Sequence, residues 1–419
     1  MKREQLIVAT LFATLIIPGG AGATTRHVPS SDYPTIHAGL DAAVAGDTVL
    51  VGCGVYYEHD LAMPAGVCLR SVAGLPGCVT IDAQREGRVV RCEGADCETV
   101  LQGLTLTNGF ATFGGRDEDS YLGGGLYCVD SFDGPVVIQC VFLENESVSF
   151  GGGVHCGTRG EPVFRYCEFI GNSCINSGAG VYATLGLGLQ CSPTFEGCRF
   201  EGNDAPENGG GCCVYGNSSS HLQVWDCDFI GNEADNGGGL HFNGGHLTVT
   251  GCLFVENSAS FYVGGAVRVH DCQSVLLAGC TMVGNKAYAG SGVHAADCAI
   301  DVERTIVAFS EGVHGQGGEG ISCSPGGQAS VWCSGIFGNE GGDWVGCIED
   351  QLGINGNICE DPLFCDPVSG DFSLQDCSPC APFSPPNPEC DLIGAWPVGC
   401  GGTPVTLTTW GGVKALFKE

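Results

Sequence analysis

The sequence predicts an all-β fold, a single parallel β-helix solenoid of about eleven coils. Three observations carry that expectation. The first is a Cys-x-Phe-x-x-Asn run that returns at Cys140-Val-Phe142-Leu-Glu-Asn145, Cys167-Glu-Phe169-Ile-Gly-Asn172, Cys198-Arg-Phe200-Glu-Gly-Asn203, Cys227-Asp-Phe229-Ile-Gly-Asn232, Cys252-Leu-Phe254-Val-Glu-Asn257 and Cys280-Thr-Met282-Val-Gly-Asn285. The steps between the cysteines are 27, 31, 29, 25 and 28 residues. A unit of that length cannot bury its own apolar face and has to stack on copies of itself. The second is a glycine marker following each Asn, as in Gly151-Gly-Gly-Val154-His155-Cys156 and Gly237-Gly-Gly-Leu240-His241-Phe242. The third is local alternation: Val163 to Phe169 and Gln223 to Phe229 place Cys and Phe on one face of a short strand, and no stretch carries a 3.6-residue apolar period. Short strands repeating every 25–31 residues are β-helix coils, because helical repeats of that length need long amphipathic segments.

Taken in chain order, residues 1–23 read as a cleaved signal peptide. Lys2 and Arg3 precede an apolar run from Leu6 to Ile17, and Ala21-Gly22-Ala23 offers a small-residue exit. That run is too short to span a membrane, and no other long apolar segment follows, so the expected location is extracellular or at the cell surface. Residues 24–47 are expected to form an N-terminal cap. Residues 48–345 form the repeats, in which the glycine markers suit sharp turns that need positive φ. Residues 346–400 are irregular and rich in cysteine. The tail, residues 401–419, reads equally as a short amphipathic cap or as a sorting or attachment signal, and oligomeric state is not set by the sequence.

Stacking assigns each repeated position to a column. Cys140, Cys167, Cys198, Cys227, Cys252 and Cys280 form an inward ladder, with the Phe residues and Met282 beside it at a rise of about 4.8 Å per coil. Asn145, Asn172, Asn203, Asn232, Asn257 and Asn285 form a second ladder at a turn, where side-chain amides bond to backbone and to one another. These twelve positions are read as structural. The 28 cysteines fall in two populations. Ladder cysteines fit either as thiols or as rung-to-rung bridges. Cys347, Cys359, Cys365, Cys377, Cys380, Cys390 and Cys400 suit a disulfide framework where strand stacking fades, with zinc at Cys377-Ser-Pro-Cys380 as the lesser alternative.

The repeats, with Phe-x-x-Asn followed by Gly-Gly and an apolar residue, resemble those of the polymorphic outer-membrane proteins of chlamydiae. The chain as a whole resembles a right-handed parallel β-helix of the pectin-lyase-like superfamily. Tyr33-Pro-Thr-Ile36 through Ala43, followed by Gly46 to Val51 and Gly54-Val55-Tyr56-Tyr57, is similar to that superfamily's capping helix running into its first strand. Asp361-Pro-Leu-Phe364, Gly370 to Leu374 and Ser378-Pro-Cys380 resemble the closing coils of secreted bacterial members. The resemblance implies a fold and little about activity, since the superfamily holds lyases, hydrolases, esterases, adhesins and inert scaffolds.

A net charge of −31 excludes nucleic acid as a partner, because the basic footprint is missing. It also favours solubility over edge aggregation. Candidate binding residues lie in the column after each glycine marker: Tyr127, His155, Tyr182, Cys213, His241, Arg268 and His294. On a half-exposed strand face, such a ribbon suits stacking on sugar rings and hydrogen bonds to hydroxyls or carboxylates, while Tyr and His are also ordinary strand residues. A second column, Glu168, Arg199 and Asp228, places two carboxylates two rungs and about 9–10 Å apart, near the upper limit for an inverting glycosidase. A carboxylate–guanidinium–carboxylate ladder accounts for the same residues more simply. No cofactor is implied, although Asp117, Glu118 and Asp119 offer oxygen ligands of the kind Ca²⁺ takes.

Known enzyme motifs of the superfamily are not matched. The pectin methylesterase signature is absent, Gly312-Val-His314-Gly315 only echoes a polygalacturonase motif, and the basic residues of the repeats scatter over columns. The leading expectation is therefore a secreted or surface β-helix protein without catalysis, adhesin-like, binding an extracellular polysaccharide or cell-surface component. A polysaccharide lyase or glycoside hydrolase, and a purely structural surface module, are the alternatives.

Overall fold

The computed structural model describes residues 22–113, 119–131, 133–157, 161–184 and 192–400. The signal-peptide core, Asp117, Glu118 and the tail from residue 401 lie outside the described residues. The chain winds as a parallel β-solenoid whose faces are three long parallel sheets of 20, 11 and 8 strands. The 20-stranded double sheet takes two strands from most coils, as in Leu126–Val129 and Val136–Ile138, and these fuse into single strands at Leu240–Thr250 and Val267–Ala278. The 11-stranded sheet carries the Phe ladder and is called the Phe sheet below. The 8-stranded corner sheet links it back to the double sheet through the glycine turns.

The ladders follow from identical neighbours. Phe142, Phe169, Phe200, Phe229 and Phe254 pair rung on rung, with consecutive rings stacked 4.5–5.0 Å apart. Each ring then fills the same slot in a core of close-packed density. In the Asn column, the amide of Asn203 donates to Asn232 Oδ1 at 2.8 Å and to Phe169 O at 2.9 Å, and Asn232 repeats both bonds to Asn257 Oδ1 and Phe200 O. The ladder cysteines are buried thiols, and two of them accept from the backbone N–H of the coil before: Cys198 N donates to Cys227 Sγ at 3.3 Å and Cys227 N to Cys252 Sγ at 3.4 Å. Where the cysteines stop, oxygen takes over, with Cys280 N donating to Thr305 Oγ1, Thr305 N to Ser334 Oγ and Ser334 N to Asn357 Oδ1. Glycine is required where the marker turns: Gly151 sits at φ +69, and a Cβ there would lie 2.4 Å from Val154 O.

The ends are closed differently. Helix α1 (Ile36–Asp41) lies over the first rungs with Ile36 and Leu40 buried, Thr35 caps it, and both carboxylate oxygens of Glu58 accept from its leading N–H groups. At the other end, Ile358, Phe364, Phe372, Leu374 and Ile393 pack onto Leu253, Val255, Val283, Ile306 and Ala308. The C-terminal segment is therefore a cover over the outer face of the Phe sheet. Disulfides Cys323–Cys347, Cys333–Cys390 and Cys365–Cys400 hold it, while Cys359, Cys377 and Cys380 are thiols, and Cys53–Cys78 ties the first coils. None of the described helices is long and apolar enough to cross a membrane.

Candidate functional site

The column after the glycine turns is a true column. Arg91, Tyr127, His155, Tyr182, Cys213, His241, Arg268, His294 and Ser322 are register partners on successive strands of the double sheet. One side chain per rung brings the rings into contact: Tyr127 and His155 have centroids 5.6 Å apart, and His155 and Tyr182 5.5 Å.

The half-exposed face expected for this column is not what the coil delivers. Tyr127, His155, Tyr182, Cys213, His241 and His294 are all at most 7% exposed, and Arg268 alone among the seven stays half-buried. The cover comes from each coil's own turns and from neighbours outside the repeat. The Arg88 guanidinium lies 4.3 Å over the Tyr127 ring, and the Tyr127 hydroxyl donates to Asp119 Oδ2 at 2.7 Å. Phe150 stacks on Tyr182 at 4.5 Å, and the Gly157 backbone passes close enough to His155 that a Cβ there would lie 3.2 Å from its Nε2. Only glycine turns let backbone run this close over a ring.

Burial sets the charge state of the column. Desolvation, helped by the Arg88 guanidinium, pushes the His155 imidazole down to about 3. Desolvation also pushes His241 down to about 3 and His294 to about 4, with Arg268 and then His270 adding to both. All three imidazoles are therefore neutral near pH 7. The Cys213 thiol and the Tyr127 and Tyr182 hydroxyls are pushed up, burial being the main cause.

The ribbon opens toward its later coils. Tyr215, Asn243, His246, Arg268, His270, Ser322 and Ser324 are half-buried there, and His221 is exposed. Arg268 Nη1 lies 3.4 Å from His241 Nδ1, and His294 bonds Ser322 Oγ at 2.7 Å and Ser324 Oγ at 2.9 Å. His221 and His246 stack at 4.5 Å. Of these, Tyr215, His221, His246 and His270 escaped the sequence reading. Tyr215 and His270 lie two residues beyond Cys213 and Arg268 on the same strands, so period-2 alternation alone places them on this face.

Glu168, Arg199 and Asp228 are register partners on the outer face of the Phe sheet, just before the covered rungs begin at Leu253. Arg199 Nε donates to Glu201 Oε2 at 2.8 Å, so its closest carboxylate is on its own strand and not on a flanking rung. Asp228 is 6% exposed, and burial pushes its carboxyl up to about 6 against the pull of Arg199. Asp119 is engaged by Tyr127, and no group of three or more His, Cys, Asp or Glu among the described residues is arranged to hold a metal ion.

A family model described as "Right handed beta helix region" matches residues 124–307 and 190–342, which together span more than half of the chain. No curated protein and no solved structure matches the sequence.

Proposed function

This chain belongs to the right-handed β-helix family, and on that premise we propose that it is a non-catalytic binding protein, adhesin-like in action, exported to the cell surface or beyond. Its binding face is the later part of the outer double sheet, from Cys213 to Ser324, and its ligand is a polysaccharide or another cell-surface component. One observation carries this reading. His221, His246 and His270, three of the chain's 10 histidines, reach the surface with Tyr215 and Arg268 on three consecutive coils of that face, over the buried rings of His241 and His294. Ring faces beside ring nitrogens and hydroxyls, on a rigid sheet, are what sugar recognition uses. Four disulfides agree with an oxidising destination.

The test is the triple variant Tyr215→Ala, His246→Ala, His270→Ala in affinity electrophoresis against a panel of polysaccharides. Binding weakens about tenfold or more, the equivalent of 1.4 kcal/mol, and the urea midpoint stays close to that of the parent protein. Binding that survives the triple substitution removes the site from this face. A second reading, a lyase or glycoside hydrolase acting at Glu168, Arg199 and Asp228, draws on the raised Asp228 carboxyl, which sits in the range a general acid needs. It requires turnover of a glycan that Asp228→Asn abolishes.

A further inference from the structure

We propose that Arg268 is the seat of an anionic group on the ligand, a carboxylate or sulfate carried by an acidic glycan; this rests on the binding reading above. The charge pattern points there first. Arg26, Arg85, Arg91, Arg165, Arg199 and Lys286 each reach a carboxylate. Arg268 does not: its one hydrogen-bond partner among the described residues is the neutral ring of His241. Among the described residues Arg70 is the other half-buried guanidinium with no ion pair, in a chain with a net charge of −31 where acids outnumber bases nearly threefold. Burying such a charge is unfavourable unless something pairs with it.

The unused hydrogen bonds point the same way. A guanidinium can only donate, so His241 Nδ1 accepts from Arg268 Nη1, and the proton of the neutral imidazole therefore sits on Nε2. Among the described residues His241 Nε2 is buried without a partner, and so is Arg268 Nε. Two adjacent rungs thus hold sealed N–H donors with no acceptor among the described residues, and Arg268 Nη2, which is not sealed and bonds to none of them, is the donor an incoming acceptor meets. The side chain is also held in place. The turn glycine Gly264 packs so tightly on the arginine stem that a Cβ there would lie 2.7 Å from Arg268 Cβ, and Ser322 and Ser324 fix the next imidazole. A planar, donor-only fork held in place fits a carboxylate or sulfate edge-on and bidentate, which a lysine in its place would not reproduce.

The experiment is isothermal titration of the full chain with three oligosaccharides of equal length: neutral, uronate-bearing and sulfated, each at low salt and at 0.5 M salt. At least one acidic probe binds about tenfold or more tightly than the neutral one, and salt removes most of the difference. Arg268→Gln brings the acidic probes to the neutral level, and Arg268→Lys retains part of the preference. Preference for uronate identifies a carboxylate, and preference for the sulfated probe a sulfate ester. Equal binding of neutral and acidic probes by the parent protein overturns the inference and leaves the binding face standing, without any appeal to a variant's folding. A preference that persists in Arg268→Gln overturns it as well. No binding of any probe overturns both.

Discussion

Two kinds of column run along this solenoid, and both are buried but for Arg268. Inside, Asn sits on Asn and Cys on Cys; outside, one strand face carries Tyr127, His155, Tyr182, Cys213, His241, Arg268 and His294 in the same rung-by-rung register. The repeated columns close their own hydrogen bonds, because each Asn offers a donor and an acceptor to an identical neighbour. The varied column does not: His155 Nδ1, His241 Nε2 and Arg268 Nε are buried without partners among the described residues. Repetition satisfies polar groups for free, whereas variation has to be satisfied from outside the repeat, by turns, by loops or by a ligand. That is a physical reason to look for recognition in the varied column.

Acid is the largest lever on the difference, because only the varied column contains imidazoles. His155, His241 and His294 titrate near 6.5 in the unfolded chain and only at about 3, 3 and 4 in the folded one. As pH falls below 6.5 the unfolded state binds protons that the folded state refuses, so stability drops, and the loss continues until the folded values are reached. At pH 5 the three together amount to roughly 6 kcal/mol. Asp228 works in the opposite direction, since its folded carboxyl protonates at about 6, and it returns about 1 kcal/mol over the same interval. The urea midpoint should therefore fall steeply between pH 7 and pH 5. A midpoint that holds level or rises would show that the imidazoles are solvated in solution.

The repeated columns respond to truncation instead. In Asn232→Ala, the N–H and amide of Asn203, the carbonyl of Phe200 and Oδ1 of Asn257 all lose a buried partner. With buried groups left unmet, the cost is roughly 3–5 kcal/mol, read as a lower urea midpoint at unchanged pH dependence. Ser310 is the internal control: it stands where the next Asn would, its N–H donates to Asn339 Oδ1, and its own Oγ has no partner among the described residues. Ser310→Ala should change stability by less than about 0.5 kcal/mol.

Most of the scaffold was legible because period and alternation encode it. The Cys, Phe and Asn positions that recur in sequence are the ones that stack, and Gly151 or Gly237 mark turns that no other residue closes. The exposure of the outer column was not legible. What buries it lies off the repeat: Arg88 over Tyr127, Phe150 against Tyr182, and the passing backbone at Gly157. The cover over the Phe sheet was half-legible. Its own residues 346–400 follow no period, but the outward positions beneath it turn apolar at Leu253, Val255, Val283 and Ile306 after the charged Glu168, Arg199 and Asp228. An outward column that changes from charged to apolar partway along a rod announces a lid.

The smallest effect concerns what sulfur does in the inner ladder. Cys227 Sγ accepts from Cys198 N at 3.3 Å and donates to Trp225 O at 3.2 Å, while the same column further on uses Thr305, Ser334 and Asn357 as acceptors. The position therefore asks for a small side chain with an acceptor more than for sulfur itself. Cys227→Ser keeps the acceptor and loses only volume and apolar character, for about 1 kcal/mol. Cys227→Ala is the more apolar replacement, yet it leaves the buried N–H of Cys198 unmet and should cost about 2 kcal/mol. If serine proves the worse of the two, the cysteines are there as packing and the repeated column owes its closure to the Asn ladder alone. If alanine proves worse, the Cys column closes its backbone N–H groups as the Asn column closes its amides, by a side chain one rung away.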